Sequence, residues 1–343
     1  KTLTNLSNGM IHRGPDNEGF LIDKNFGFGM RRLSIIDLDG GNQPIFNETK
    51  KLSIVFNGEI YNYKELKQKL DNYKYKTNCD TEVIIAAYEK WGFDCAKYFV
   101  GMFGFYLYDF KRNAGFCARD QAGIKPFYYF FDKSNFVFSS EIKGFRPTIG
   151  KFKANYDIIS NYLHKIDYEN KNETFFSNIY QLLPGQQLIL KDGKINKTFY
   201  HRITFSKKKR DNASLSDIKA KIYKSVERQL QSDVPIGLFY SGGIDSTVLA
   251  AAIKKLSSHE KMQSYTFVTE KIPQTEINVI SKIAGELGLN NKLITGDFSN
   301  NSSFVKKMMW KTESPFIPSV LLDEAMNSAA KADGITVVLR GDG

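Results

Sequence analysis

Six residues, Ser241-Gly-Gly-Ile-Asp-Ser246, constrain this chain more than any other segment because of what flanks them. An apolar, β-compatible run, Ile236–Tyr240, leads in, and a helix-forming run, Thr247–Leu256, leads out. A strand that enters a helix through a glycine-rich turn is the opening of a strand–helix–strand unit, which belongs in a parallel sheet. Gly242 and Gly243 let the backbone turn tightly and bring bare N–H groups close to an anion. Ser241, Ser246 and Thr247 add hydroxyl donors, and the start of the helix adds its partial positive charge. Asp245 supplies a carboxylate for the magnesium ion that accompanies a polyphosphate. No Lys follows the glycines, so the Walker pattern is absent and transfer of a terminal phosphoryl group is not indicated. Two adjacent glycines alone would read as a plain turn between strand and helix. The full pattern in this setting favours nucleotide binding.

The C-terminal half keeps that texture. A helix over Leu215–Leu230 precedes the motif; the strand Ser264–Val268, the helices Glu276–Leu287 and Leu321–Ala332, and the strand Thr336–Leu339 follow it. Alternating strands and helices imply an α/β doubly wound parallel sheet. The N-terminal two hundred residues differ. Short aromatic and β-branched runs (Leu52–Phe56, Phe103–Tyr108, Gly115–Ala118, Phe127–Phe131, Phe136–Phe138) are punctuated by Asp-Gly at 39–40 and 192–193 and Asn-Gly at 57–58, taken as turns. Helices are expected over Tyr63–Leu70 and Thr81–Lys90, giving an α+β antiparallel sandwich. The polar, basic stretch Thr204–Ser216 is the seam. The expected division is 1–203, a linker at 204–213, and 214–343.

The balance of 48 Lys+Arg against 37 Asp+Glu, a formal charge of +11, raises nucleic acid, membrane surfaces or anionic substrates as partners. The one dense basic run, Lys207–Arg210, sits among polar residues as a solvated linker would, and the aromatics fall within strands rather than among basic surface positions. No nucleic-acid or membrane partner is expected. No run of eighteen apolar residues occurs. Cys79, Cys95 and Cys117 form no C-x-x-C pair, and with four His they leave neither a disulfide scaffold nor a zinc site in view. A reducing, cytoplasmic setting is the expectation.

The S-G-G-x-D-S segment resembles the pyrophosphate loop of enzymes that attack the α-phosphate of ATP. Further segments join it in order: His12-Arg-Gly-Pro-Asp16, Arg31-Arg-Leu-Ser-Ile-Ile-Asp37, Gly41-Asn-Gln-Pro44, Phe56-Asn-Gly-Glu-Ile-Tyr-Asn62, Cys79-Asp-Thr-Glu-Val83, Gly101-Met-Phe103, Ala118-Arg-Asp120, Ile124-Lys-Pro-Phe-Tyr-Tyr129, Ser140-Glu-Ile-Lys143, Ser232-Asp-Val-Pro235, Glu313-Ser-Pro315 and Val338-Leu-Arg-Gly-Asp-Gly343. Together they resemble the glutamine-hydrolysing asparagine synthetase family over nearly the whole chain.

The resemblance implies an N-terminal-nucleophile glutaminase followed by an ATP-binding, AMP-forming ligase domain. It implies that Arg32 holds the glutamine carboxylate, that Asn57 and Gly58 form the oxyanion hole, and that Glu59 and Asp80 receive the substrate amine. A planar Arg fork suits a carboxylate, and paired donors suit a tetrahedral oxyanion. Singly, each has a plainer reading: a hairpin turn at Asn57-Gly58, a surface ion pair for Arg32, a helix N-cap for Asp80. In the second domain it implies that Ser241, Gly242, Gly243, Asp245 and Ser246 surround pyrophosphate and magnesium. Backbone near Tyr240 and Phe267, with Gly341, would contact adenosine, and Asp342 would lie near the reacting carboxylate. Ammonia would pass inside the protein to an acyl-adenylate of aspartate, or of a sugar acid or another carboxylate. A pyrophosphate-loop enzyme acting on nucleic acid is a further alternative. Homodimers are usual in the family.

Two departures stand out. The family's nucleophile is an N-terminal Cys whose α-amine is the base, whereas this sequence opens at Lys1, and trimming is the expected reason. At the other end, a second acidic metal ligand and a helical lobe with a catalytic Lys are expected beyond Gly343. Arg340 stands where a Ser is usual, read either as a tolerated change or as an altered nucleotide or acceptor contact.

Overall fold

The computed structural model describes residues 2–23, 26–132, 134–164, 171–204, 214–256, 262–296, 302–315 and 319–341. The chain divides into two compact units, Lys1–Phe205 and Ser206–Gly343. The basic run at 207–210 and Asp342 lie outside the described residues.

The first unit runs α1 (Thr2–Asn8), β1 (Asn17–Ile22), β2 (Gly27–Arg32), β3 (Ile45–Phe46), β4 (Leu52–Ile60), α2 (Tyr63–Lys69), α3 (Thr81–Trp91), β5 (Gly101–Asp109), β6 (Ala114–Arg119), β7 (Tyr128–Phe131) and β8 (Phe136–Ser139). It continues with α4 (Arg146–Ile149), α5 (Tyr156–Leu163), β9 (Ile179–Gln181), β10 (Gln186–Lys191) and β11 (Lys194–Phe199). A six-stranded antiparallel sheet in the order β11-β10-β6-β5-β4-β3 is its centre, with a three-stranded sheet β8-β7-β9 and the ribbon β1-β2. Alternation along β4 explains the layering. Ile54 and Phe56 face α3, where Val83 and Ile84 meet them. Val55, one residue out of phase, faces the other way with Tyr106, Phe127, Tyr129 and Phe28. Because both faces of β4 and β5 are covered, their sequences read as continuous apolar runs. The second layer is aromatic: Tyr106 stacks on Phe138 with centroids 4.5 Å apart.

The Asp192-Gly193 turn joins β10 to β11 with φ of 49° and 66°, as a tight primed hairpin requires. Asn57-Gly58 is no turn. Both residues lie inside β4, opposite Gly104 and Phe103 of β5. The dipeptide is a turn signal where polar residues follow it, but here Ile60 is fully buried and carries the strand on. Gly58 has φ 151°, and a Cβ there would lie 2.0 Å from the Met102 carbonyl oxygen, so close strand approach is what demands glycine.

The second unit holds α6 (Leu215–Gln229), β12 (Ile236–Phe239), α7 (Ile244–Leu256), β13 (Met262–Phe267), α8 (Gln274–Glu286), β14 (Leu289–Ile294), α9 (Ser302–Thr312), α10 (Ser319–Ala332) and β15 (Val337–Arg340). Its four described strands form one parallel sheet in the order β14-β13-β12-β15. Val226, Ala250, Ile253, Ile280 and Ala284 from α6, α7 and α8 cover one face with Leu238 and Tyr240. Ala330 of α10 covers the other with Phe239 and Tyr265. Helices on both faces make this a doubly wound sheet. The strand order reverses between β12 and β15, and it is at the carboxyl ends of the strands at such a switch point that sheets of this kind bind ligands.

Candidate functional site

In the first unit the convergence point is the end of β4. Glu59, only 5% exposed, is paired through its backbone in the β4–β5 ladder, while its carboxylate makes no hydrogen bond to a described residue. Its carboxyl is pushed up to about 7, first by burial; Lys125 opposes the shift and Asp80 adds to it. Asp80, equally buried, stands at the N-cap position of α3 but makes no capping hydrogen bond. Its Oδ2 instead accepts the Ile60 N–H at 2.8 Å, so the carboxylate is turned to the strand. Burial pushes it up to about 6 against the pull of that N–H and of Arg32. Two buried carboxylates with raised pKa values beside Asn57-Gly58 are groups that an arriving cation would ionise.

Arg32 ends β2 and is 7% exposed, so it is no surface ion pair. Its Nη1 donates to Leu38 O and Asn42 Oδ1, and its Nη2 to Ile36 O and Asp37 O, at 2.7–3.2 Å. The guanidinium therefore shapes the loop that follows β2, and that loop reaches the Asp80 segment: Asp37 Oδ2 accepts the Asn78 N–H at 2.9 Å. Gln43 completes the frame. Its amide accepts from Phe56 N–H at 2.6 Å and donates to Phe56 O at 3.1 Å, fixing the strand one residue before Asn57.

Three further residues at this site received no role from the sequence. Ser140 accepts a hydrogen bond from Asn57 Nδ2 at 3.3 Å. Glu141 is buried next to it. Lys125 has its ammonium disfavoured by burial, with Glu59 pulling the other way. Its backbone is set by Asp120, whose carboxylate accepts the N–H groups of Phe103, Ala122, Ile124 and Lys125. The segments Ala118–Asp120, Ile124–Tyr129 and Ser140–Lys143 carried the signal, but only as motifs.

In the second unit β12 leads through Tyr240 into a loop closed from within. Ser246, 4% exposed, accepts from Ser241 N–H at 3.3 Å, meets Ser241 Oγ at 3.1 Å and donates to Gly243 O at 3.1 Å. Its hydroxyl thus builds the loop rather than facing outward. The backbone of Tyr240 is likewise engaged in the sheet, its N–H with Tyr265 O at 2.9 Å and its carbonyl with Thr266 Oγ1 at 2.5 Å. Gly242 has φ 76°, and a Cβ there would come within 2.7 Å of Ile280. The first N–H groups of α7 have no acceptor within the helix and point, with its dipole, out beyond the carboxyl end of β12. Asp245 is exposed on that first turn. Gly341 lies against it: a Cβ on Gly341 would sit 2.9 Å from the Asp245 carbonyl carbon and the Ser246 nitrogen. The segment after β15 and the loop after β12 are therefore brought together, and Phe267 ends β13 at the same edge of the sheet. The glycines and open N–H groups fit a polyphosphate, and Asp245 fits its metal. Arg340, opposite Phe239, donates from Nη1 to Asp323 Oδ2 at 3.2 Å.

No helix among the described residues is long and apolar enough to cross a membrane. Cys79, Cys95 and Cys117 are all buried free thiols.

Residues 1–201 match the family model of a glutamine amidotransferase domain and residues 217–343 that of asparagine synthase. The chain is 33% identical to the putative asparagine synthetase [glutamine-hydrolyzing] 2 of Methanocaldococcus jannaschii, covering 99% of this chain and 70% of that protein. It is 31% identical to asparagine synthetase [glutamine-hydrolyzing] 1 of Bacillus subtilis, over 97% of this chain and 53% of that one. It is also 29% identical to amidase chry2 of Gibberella zeae, over 97% of this chain and 53% of that one. The chain spans about half the length of several of these relatives.

Proposed function

The chain belongs to the glutamine-hydrolysing asparagine synthetase family, and from that premise we propose that the protein is an ATP-dependent ligase that makes an amide with glutamine as nitrogen donor. The observation that carries this reading is the pair of buried carboxylates, Glu59 and Asp80, beside Asn57-Gly58 on a central strand. Glutamine presents an ammonium, a carboxylate and an amide carbonyl. Glu59 and Asp80 receive the ammonium, and Asn57 with the Gly58 N–H faces the oxygen that becomes negative during hydrolysis; the carboxylate falls to the loop that Arg32 shapes, since the four Nη hydrogens of Arg32 are already donated to Leu38, Asn42, Ile36 and Asp37. The nucleophile is none of the three cysteines here. All are buried, and burial pushes the thiols up, whereas a reactive thiol is exposed and shifted down.

In the second unit Gly242, Gly243 and the first turn of α7 hold the phosphates of ATP, and Ser241 and Ser246 keep the loop in shape. Asp245 would hold magnesium, whose charge would offset that of the pyrophosphate. The acceptor carboxylate attacks the α-phosphate, giving an acyl-adenylate and pyrophosphate, and ammonia then displaces AMP to form the amide. Aspartate is the proposed acceptor, after the relatives' names. A second reading, another carboxylate such as a sugar acid, draws on the amidase relative and on Arg340. The Arg340–Asp323 pair weakens it, since one arm of the guanidinium already holds a carboxylate.

The full-length protein with ATP, magnesium and ammonium should release AMP when given aspartate, with asparagine in equal amount by mass. AMP formed only with a uronic acid sugar nucleotide would transfer the assignment to the second reading.

A further inference from the structure

We infer that Ser140-Glu141 is a positioning element for the side-chain amide of Asn57, an inference that rests on the glutaminase reading above. Asn57 stands on β4 of the six-stranded sheet, and Ser140 follows β8 of the three-stranded sheet. Their hydrogen bond, Asn57 Nδ2 to Ser140 Oγ at 3.3 Å, therefore spans from one sheet of the sandwich to the other. The terminal torsion of an Asn side chain is soft, with broad preferences. One N–H donated to a fixed oxygen sets the plane of the amide and leaves the second N–H to point in one direction. That is the preorganisation an oxyanion donor needs, because its value lies in being aimed before charge develops.

Ser140 can do this only if it is itself immobile, and Glu141 supplies that. The Glu141 carboxylate is buried and gathers three side chains, the cations Lys143 (Nζ at 2.6 Å) and Arg13 (Nη1 at 3.1 Å) and the imidazole of His12 (Nε2 at 3.0 Å). Burial alone would raise its carboxyl, but Lys143, His12 and Arg13 together hold it below the ordinary carboxylate range. Its N–H is taken by Ser139 Oγ at 3.2 Å, and its carbonyl accepts from Gly144 at 3.2 Å. The dipeptide is thereby locked to the His12-Arg13 segment on one side and to its own following turn on the other.

The experiment is a double-mutant cycle on glutamine hydrolysis by the full-length protein, with thermal unfolding followed in parallel. Ser140→Ala should lower kcat about tenfold, part of the loss that removing an oxyanion donor causes, with KM within about twofold of the parent because ground-state binding is untouched. Ser140→Thr, which keeps the hydroxyl, should restore kcat. Glu141→Gln should lower kcat in the same direction while ammonia-dependent synthesis stays at the parental rate. In an Asn57→Ala background, Ser140→Ala should cause no further loss. An equal loss in both backgrounds, or an unchanged kcat in Ser140→Ala, overturns the inference and leaves the glutaminase reading standing. If Asn57→Ala itself leaves hydrolysis intact, the oxyanion reading fails, and this inference with it.

Discussion

The two candidate sites are built on opposite principles. The pocket of the first unit is made of side chains taken out of water: Glu59, Asp80 and Arg32 are each at most 7% exposed. The loop of the second unit is made of backbone at a helix start, and Asp245, the carboxylate proposed to hold magnesium, is exposed. Buried carboxylates store an unfavourable desolvation term that a bound ammonium relieves, so binding and stability are coupled there. A helix terminus stores little, because its orphan N–H groups are hydrated until an anion replaces the water. Selectivity for a small zwitterion calls for the first design, and reversible capture of a highly charged polyphosphate is served by the second.

Breaking the exposed site should have the largest effect on chemistry and almost none on folding. Asp245→Asn should abolish ATP–pyrophosphate exchange, because a carboxamide cannot neutralise magnesium, while glutamine hydrolysis and the unfolding midpoint stay as they were. Retained exchange would remove Asp245 from the metal site. Asn57→Ala comes next: glutaminase turnover should fall by about two to three orders of magnitude, with ammonia-dependent synthesis preserved. If both activities fall together, Asn57 is a structural residue of β4.

How much of this was legible beforehand differs between the two sites for the same reason. The loop after β12 is local: strand, two glycines, acidic residue and helix lie within about twenty positions, and the structure adds that α7 begins at Ile244 rather than Thr247, that the Ser246 hydroxyl closes the loop from within and that Gly341 lies against Asp245. The first pocket is assembled from distant parts. Ser140 reaches Asn57 across 83 positions, and His12 reaches Glu141 across 129. No periodicity encodes such contacts, so the motifs that carry Ser140, Glu141 and Lys125 assign these residues no role. Asn57-Gly58 reads as a turn in sequence because a dipeptide cannot report that the Met102 carbonyl oxygen lies against its glycine. The edge strand β14 escaped for another reason. Its Leu289-Asn-Asn-Lys-Leu-Ile294 has one buried residue and a polar exposed side, which is how an edge avoids further pairing.

Two smaller effects sharpen the contrast. With Glu59 at about 7 in the empty pocket, an incoming ammonium meets a mostly protonated carboxyl at pH 6 and a mostly ionised one at pH 8. The KM for glutamine should therefore fall about tenfold between those values and level off above. A flat KM would show that Glu59 does not receive the amine. The same group governs stability. Its folded-state value lies above the ordinary 4.5, so the folded protein holds the proton more tightly and loses stability as pH rises from about 5 to 7. Glu59→Gln removes that loss. It should stabilise the first unit by about 1–3 kcal/mol at pH 8 and by nearly nothing at pH 5, read from denaturant unfolding. Asp245→Asn, at an exposed position, should bring no comparable stabilisation, and a similar gain there would erase the distinction between the sites.

The central claim is that nitrogen leaves glutamine in one unit and enters an amide through ATP chemistry in the other. Full-length protein given amide-labelled ¹⁵N-glutamine, ATP, magnesium and aspartate, with unlabelled ammonium in the medium, tests it directly by mass spectrometry of the product. The account predicts asparagine carrying the label, formed one-to-one with AMP and lost in both Asp245→Asn and Asn57→Ala. Unlabelled product, or labelled product without AMP, would contradict it.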